Sequence, residues 1–175
     1  MKRLLLLGGG HVHVQVVLAF ARHSPPATQV VLIDRNPLAP YSGMLPGLVA
    51  GHYDVRASHI DLAALCRRAR IAFVQAEAVA IELDRQAVVT APNQRHGYDL
   101  LSIDTGSTPP LQAIAGARMH ALPVKPIGEF LAAIDRRLPE LARNPGRSLA
   151  VVGGGAAGFE IVLGLGPRNR TRFGA

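Results

Sequence analysis

Residues 4–14 read Leu-Leu-Leu-Leu-Gly-Gly-Gly-His-Val-His-Val, and no other stretch of the chain restricts its fold so tightly. An apolar run without alternation is what a strand buried on both faces requires, as in a parallel sheet covered by helices. Three glycines end it at once, and an apolar stripe at helical spacing follows. The expectation is a strand over residues 3–7, a tight turn at Gly8–Gly10 and a helix from His11 to Arg22 with Val12, Val16, Ala19 and Phe20 inward. Ser24–Thr28 breaks that helix, and the run Gln-Val-Val-Leu-Ile-Asp-Arg-Asn that follows is a second buried strand ending in Asp34. Strand, helix and strand in so short a span predict a parallel crossover unit.

Backbone without Cβ atoms, placed where a strand enters a helix, allows a pyrophosphate to approach main-chain N–H groups at the positive end of the helix. Asp34 stands where an acid can accept hydrogen bonds from ribose hydroxyls. About 145 residues on, the pattern returns in Arg-Ser-Leu-Ala-Val-Val-Gly-Gly-Gly-Ala-Ala-Gly-Phe-Glu, residues 147–160. There Gly153, Gly155 and Gly158 satisfy G-x-G-x-x-G, with a predicted strand before them and Glu160 two positions beyond. In the first turn His13 takes the third glycine position, so that contact is either looser or built differently. Two such turns argue for two dinucleotides.

Between the turns, residues 35–57 hold three prolines and three glycines with little periodicity, and read as an ordered excursion without a regular element. Ser58 and Asp61 resemble a capping box that opens a helix to Arg70, with Arg67, Arg68 and Arg70 in its last turn. Strands are then expected in Ile71–Leu83, Ala87–Ala91 and Tyr98–Gly106, the middle ones antiparallel, as a β-meander inserted into a parallel sheet. Pro123 and Pro126 mark a linker, Glu129–Leu138 a helix, and residues 144–146 a turn.

With 49% hydrophobic and 18% charged residues, a chain of 175 has the material for a packed core. Its net charge of +7 comes from 17 Arg and 2 Lys, scattered rather than gathered into a stripe, which argues against nucleic-acid binding. Cys66 stands alone, so neither an intrachain disulfide nor a two-cysteine redox centre can form, which suits a cytoplasmic setting. The N-terminus lacks a signal-peptide pattern, and no stretch has the apolar length of a membrane span. His11 and His13, two apart on a helix, point to different faces, and no third ligand is spaced to join them; no metal site is expected.

The chain resembles the two-dinucleotide flavoprotein reductases, the pyridine nucleotide-disulfide oxidoreductase superfamily. The resemblance rests on residues 6–14, 31–53, 98–109, 122–130 and 151–160, and so reaches to about residue 163. Pro-Tyr-Ser-Gly-Met-Leu-Pro-Gly over 40–47, with Gly-Gly-Gly-His-Val-His-Val over 8–14, narrows it to what looks like the branch related to type II NADH dehydrogenases, a branch also found fused to selenide water dikinase. It implies a Rossmann-like α/β fold for FAD and NAD(P)H, with a parallel sheet and an inserted antiparallel meander, incomplete at the C-terminus. The implied layout is a first half of an FAD domain over 1–122, a linker and helix over 123–146, and the start of an NAD(P)H domain over 147–175. By the same resemblance the FAD pyrophosphate lies at Gly8, Gly9, Gly10 and His11, its ribose at Asp34 beside Arg35, its adenine near Ala78 and Val79, and its flavin along Ser42, Gly43, Met44, Leu45 and Pro46. Thr105 and Gly106 match the Ala-Thr-Gly signature of the FAD domain, and Gly153, Gly155, Gly158 and Glu160 belong to the nicotinamide dinucleotide. A histidine at position 13 is tolerated in this branch.

The implied activity is hydride transfer from NAD(P)H to flavin and on to a small acceptor. No cysteine pair lies in 35–57, so a quinone-like acceptor fits better than a disulfide. The cofactors carry this chemistry, and no catalytic side chain is named. Tyr41 and His52 fit either the flavin edge or loop packing, and Lys125 either an anionic cofactor or solvent. Family members run to about twice this length, and the stretch after Glu160 loses helical periodicity in scattered Arg and Gly, as a truncation or shifted frame would. Two expectations follow: flavin is held weakly or not at all, and membrane-surface attachment belongs only to a full-length form. The reading of another class is a non-catalytic dinucleotide-binding remnant of a split or fused selenium-metabolism protein.

Overall fold

The computed structural model describes residues 1–144, 146 and 148–173. In chain order the elements are β1 (Lys2–Leu7), α1 (His11–Arg22), β2 (Thr28–Asp34), β3 (Leu38–Pro40), α2 (Leu45–Ala50), β4 (His59–Asp61), α3 (Leu62–Ala69), β5 (Ala72–Gln75), β6 (Ala78–Glu82), β7 (Ala87–Thr90), β8 (Gln94–Gly97), β9 (Leu100–Ile103), α4 (Ala117–His120), α5 (Ile127–Ala142) and α6 (Ala156–Phe173), with short 3-10 turns at Ser42–Met44, Arg56–Ser58 and Leu111–Ala113. They form two compact units, one of Met1–Ala39 with Ile60–Gly106 and one of Pro40–His59 with Ser107–Ala175.

The first unit is α/β. Its parallel sheet runs β5-β2-β1-β9, with Lys2 opposite Thr28, Leu4 opposite Leu100 and Val31 opposite Ala72. Successive side chains of a strand point to opposite faces, and the two central strands divide accordingly. Leu6, Val30 and Leu32 join Val14 and Val17 of α1 and Leu62, Cys66 and Ala69 of α3 in one core, while Leu5, Leu7, Val31 and Ile33 pack with Val88 of the meander in another. Both faces of β1 and β2 are therefore covered, which is why neither strand alternates apolar with polar residues. The meander β6-β7-β8 is antiparallel, and the chain leaves it to place β9 beside β1.

Several expectations need correction. The buried stripe of α1 is His13, Val14 and Val17, not Val12 and Ala19, which are exposed. Burying a histidine there shifts the helix by one residue, and that is affordable because both ring nitrogens find partners, as described below. The N-cap of α3 is Asp61, whose carboxylate accepts from the Ala64 N–H at 2.8 Å, and not Ser58, whose hydroxyl donates to the Val55 carbonyl. The excursion over 35–57 contains β3 and α2; Leu45, Leu48 and Val49 recur at helical spacing, and Pro46 in the first turn removes no intrahelical bond.

The second unit is helical, with a core of Leu45, Leu48 and Val49 from α2, Ile127, Phe130, Leu131, Ile134 and Leu138 from α5, and Ile161 and Leu165 from α6. Helix α5 outruns its expected limits at both ends and carries Pro139 inside. The strand expected upstream of the second glycine turn is not formed: residues 148–154 are irregular, Val152 is 87% exposed, and a parallel strand needs neighbours to pair with. Beyond Glu160 the chain does not lose its helix, for α6 runs on to Phe173. Gly164 allows that passage, since a Cβ on it would lie 2.6 Å from the Pro46 carbonyl oxygen. The turn expected at 144–146 falls partly outside the described residues. No helix among the described residues is long and apolar enough to cross a membrane.

Candidate functional site

The first glycine turn is held by backbone at close quarters. The Gly8 N–H donates to the Ile33 carbonyl at 2.8 Å and the Gly10 N–H to the Asp104 carbonyl at 3.2 Å. Gly8 has φ +92°, and a Cβ there would lie 2.6 Å from the Asp104 carbonyl carbon and 2.8 Å from the Thr105 Cα. Only glycine meets both demands. A Cβ on Gly9 would strike the Leu62 side chain of α3. The turn thus lets the end of β1, the end of β9 and the start of α1 approach one another.

Two carboxylates close on this turn. Asp34, at the end of β2, accepts the Gly9 N–H on Oδ2 at 2.6 Å and the Asn36 N–H on Oδ1 at 2.7 Å. Asp104, directly after β9, accepts the Val12 N–H at 2.9 Å and the His13 N–H at 3.1 Å, both on Oδ2. Helix α1 has Gly10 as its N-cap, with no side chain to cap it, and no acid in its first turn. Asp104 supplies that cap from 92 positions away in sequence. These amides therefore face an anion already, as helix N-termini favour.

His13 solves the problem that its place in the third glycine position raised. It is wholly buried, with Nδ1 2.6 Å from the Gly8 carbonyl oxygen and Nε2 2.8 Å from Ser102 Oγ. A carbonyl only accepts, so Nδ1–H donates to Gly8 and Nε2 accepts the Ser102 hydroxyl, a tautomer assigned from the bonding pattern. The side chain ties the turn to β9 where a glycine would have let helix and strand touch.

Around the turn, Arg35 lies 3.9 Å from Glu77 across an exposed ion pair, of a kind that contributes little. The Ala76 N–H donates to the Asp34 carbonyl at 3.0 Å, after which β6 begins with Ala78, half-buried, and Val79, 61% exposed. His11, Thr105 and Gly106 are exposed, and Gly106 has φ +80° with nothing crowding it. Within the first unit the turn thus brings Gly8–Gly10 together with Asp34 and Thr105, and His11, Arg35, Ala78, Val79 and Gly106 belong to the same unit.

Ser42–Pro46 belongs to the second unit. Ser42 and Gly43 are exposed, Met44 is half-buried and fixed through its carbonyl by the Tyr53 hydroxyl at 2.5 Å, and Leu45 is taken into the helical core. The second glycine turn lies in the same unit. A Cβ on Gly158 would strike the Gly153 carbonyl oxygen, so that close approach of turn and helix needs glycine, whereas Gly155 is uncrowded. Glu160 is exposed. Lys125 Nζ lies 3.5 Å from Ser107 Oγ, and His52 is an exposed loop residue bonded through its N–H to Gly47. Among the described residues no group of three or more His, Cys, Asp or Glu is placed to hold a metal ion.

Asp104 is the site residue that the sequence reading passed over. Its one sequence signal is an acid directly before Thr105-Gly106, where the Ala-Thr-Gly signature has alanine.

The family model described as "pyridine nucleotide-disulphide oxidoreductase" matches residues 2–165. Demethylphylloquinone reductase NdbB of Synechocystis sp. is 26% identical over 181 residues, covering 97% of this chain and 44% of that protein. A probable ferredoxin reductase, CtmF of Castellaniella defragrans, is 30% identical over 175 residues, covering 94% of this chain and 40% of its own. The chain spans less than half the length of these curated relatives. Among solved structures, NDH2 from Plasmodium falciparum in complex with NADH superposes with a TM-score of 0.77 at 18% identity, over 98% of this chain and 39% of that one; at that identity the likeness concerns the fold. A family model that matches almost the whole chain, on a parallel sheet whose first strand ends in the crowded glycine turn, shows that the chain belongs to the pyridine nucleotide-disulphide oxidoreductase family.

Proposed function

We propose that this chain is an FAD-dependent NAD(P)H:acceptor oxidoreductase of the type II NADH dehydrogenase-like branch, or the N-terminal half of one, with a quinone-like acceptor. Residues 1–122 form the first half of the FAD domain, 123–146 the linker and its helix, and 147–175 the start of the NAD(P)H domain. The observation that carries the reading is the Gly8 turn, with its positive φ, its backbone crowding and the Asp34 carboxylate bonded to the Gly9 amide at 2.6 Å. The residues fit the group: a turn that admits no Cβ leads directly into the first turn of α1, whose Val12 and His13 N–H groups already donate to a carboxylate.

In this reading the diphosphate lies over Gly8–His11 at the positive end of α1, Asp34 accepts from the ribose, Arg35 with Ala78 and Val79 borders the adenosine, and Thr105-Gly106 closes the same edge. Ser42–Pro46 lies along the flavin, and Gly153, Gly155, Gly158 and Glu160 serve the nicotinamide dinucleotide. Bound flavin would supply the hydride chemistry, and the protein's part is to hold and orient. A cytoplasmic setting belongs to the same reading, Cys66 being the sole cysteine. Support for the acceptor comes from the relative named as a demethylphylloquinone reductase.

Titration of the purified chain with FAD, NADH and NADPH, followed by flavin and nicotinamide fluorescence, tests the reading. Saturable FAD binding that is weak enough to be lost on desalting is expected. Flavin retained stoichiometrically after desalting would overturn the expected weak hold, and no saturable binding of any of the three would overturn the dinucleotide reading.

A further inference from the structure

We propose that Asp104 is an intramolecular stand-in for the cofactor's diphosphate: its carboxylate occupies the first-turn amides of α1 and must withdraw before the cofactor can bind there. The inference rests on the functional reading above, which places the diphosphate at this turn.

Helix α1 has neither a cap nor a first-turn acid of its own, and Asp104 Oδ2 accepts from Val12 and His13 at 2.9 and 3.1 Å. Its main chain is fixed independently, for the Asp104 N–H donates to the Leu7 carbonyl at 2.8 Å and its carbonyl accepts from Gly10 at 3.2 Å. The side chain can therefore turn away while the end of β9 stays in register. A Cβ on Gly10 would meet this carboxylate, so it lies directly over the turn. A diphosphate over Gly8–His11 would therefore meet this carboxylate at close range, and two anions so placed repel strongly. The other charged group on the turn, Asp34, is engaged with Gly9 and Asn36 and offers no cation to relieve it. His13, whose N–H Asp104 accepts, has its ring turned to Gly8 and Ser102. The same carboxylate thus keeps the turn in its anion-accepting shape and competes for it.

The experiment compares the wild-type chain with Asp104→Asn, which keeps the shape and one acceptor but removes the charge. Asp104→Ser is carried alongside, so that a folding loss in one variant, seen by circular dichroism, does not remove the comparison. FAD affinity is measured by fluorescence, and the thermal midpoint is measured with and without inorganic pyrophosphate. Tighter FAD binding by about tenfold in the neutral variants is expected, the order set by one charge-assisted bond pair. A larger rise in midpoint with pyrophosphate than wild type shows is expected as well. Equal FAD affinity in all three proteins, or weaker binding in the variants, overturns the role of Asp104 while leaving the FAD reading intact. Pyrophosphate stabilisation of the variants without FAD binding by any protein supports Asp104 as the stand-in and overturns the FAD reading. Failure of both ligands with every protein overturns both.

Discussion

Gly8→Ala separates two physical costs that the structure puts at one residue. An L-residue at φ +92° costs about 1–2 kcal/mol from Cβ crowding of its own carbonyl. The new methyl would also stand 2.6 Å from the Asp104 carbonyl carbon and 2.8 Å from the Thr105 Cα, both backbone and both unable to swing aside. Overpacking of that kind costs about 1–3 kcal/mol more. Alanine also restricts the unfolded chain, which offsets about 0.4–1 kcal/mol. The net loss is about 1–5 kcal/mol, against the roughly 5–15 kcal/mol that holds a typical domain. Gly106→Ala is the matched control, with φ +80° and no atom within 4 Å of its Cβ; it carries the conformational cost alone. Urea titrations followed by far-UV circular dichroism give both numbers, provided the slope is unchanged. Gly8→Ala should lose about 1–3 kcal/mol more than Gly106→Ala. Equal losses would refute the claim that backbone crowding, rather than φ alone, demands glycine at the turn.

Three further outcomes are expected. His13→Ala should cost about 2–4 kcal/mol through a cavity and an unsatisfied Gly8 carbonyl, and Ser102→Ala should cost less in that background than in wild type, which a double-mutant cycle in urea measures. Burial pushes the Cys66 thiol up to about 11, leaving about one part in a thousand as thiolate at pH 8, so a disulfide reagent should label it only as urea unfolds the chain; rapid native labelling would show the site to be open. His96, held down by burial and then by the Arg3 charge, has a folded pKa below the ordinary 6.5, so the unfolded chain takes up the proton first and stability, full above that value, falls as the solution is acidified through it. Thermal midpoints at neutral and acid pH should therefore diverge less in His96→Gln than in wild type.

What could be read from the residues was what neighbours in sequence decide. β1 and β2 are unbroken local apolar runs, α1 has a helical period, and β6 and β7 are short apolar stretches about a turn, whereas the meander's third strand, β8, is the polar Gln94–Gly97 and carries no such signal. The six-residue α2 is too short for a helical period to emerge from a segment dense in proline and glycine; its apolar triplet gains meaning only when α5 and α6 cover it. The strand expected before Gly153 failed for the opposite reason, since an apolar run becomes a strand only beside a partner. Asp104 escaped because a cap delivered from the far end of the sheet leaves no mark on the spacing around α1. The phase of α1 was misjudged because a histidine with two partners can be as inward as a valine.

The place of β9 has a consequence for how the chain is made. β1 gains its first neighbour within some thirty residues, yet its other flank, Leu4–Leu7, waits for Leu100–Ile103 to leave the ribosome. Throughout that interval a bare row of peptide groups on an oily ribbon is offered to any passing strand. Synthesis interrupted before residue 100 would leave a protein with its first two strands joined and a sticky margin permanently uncovered.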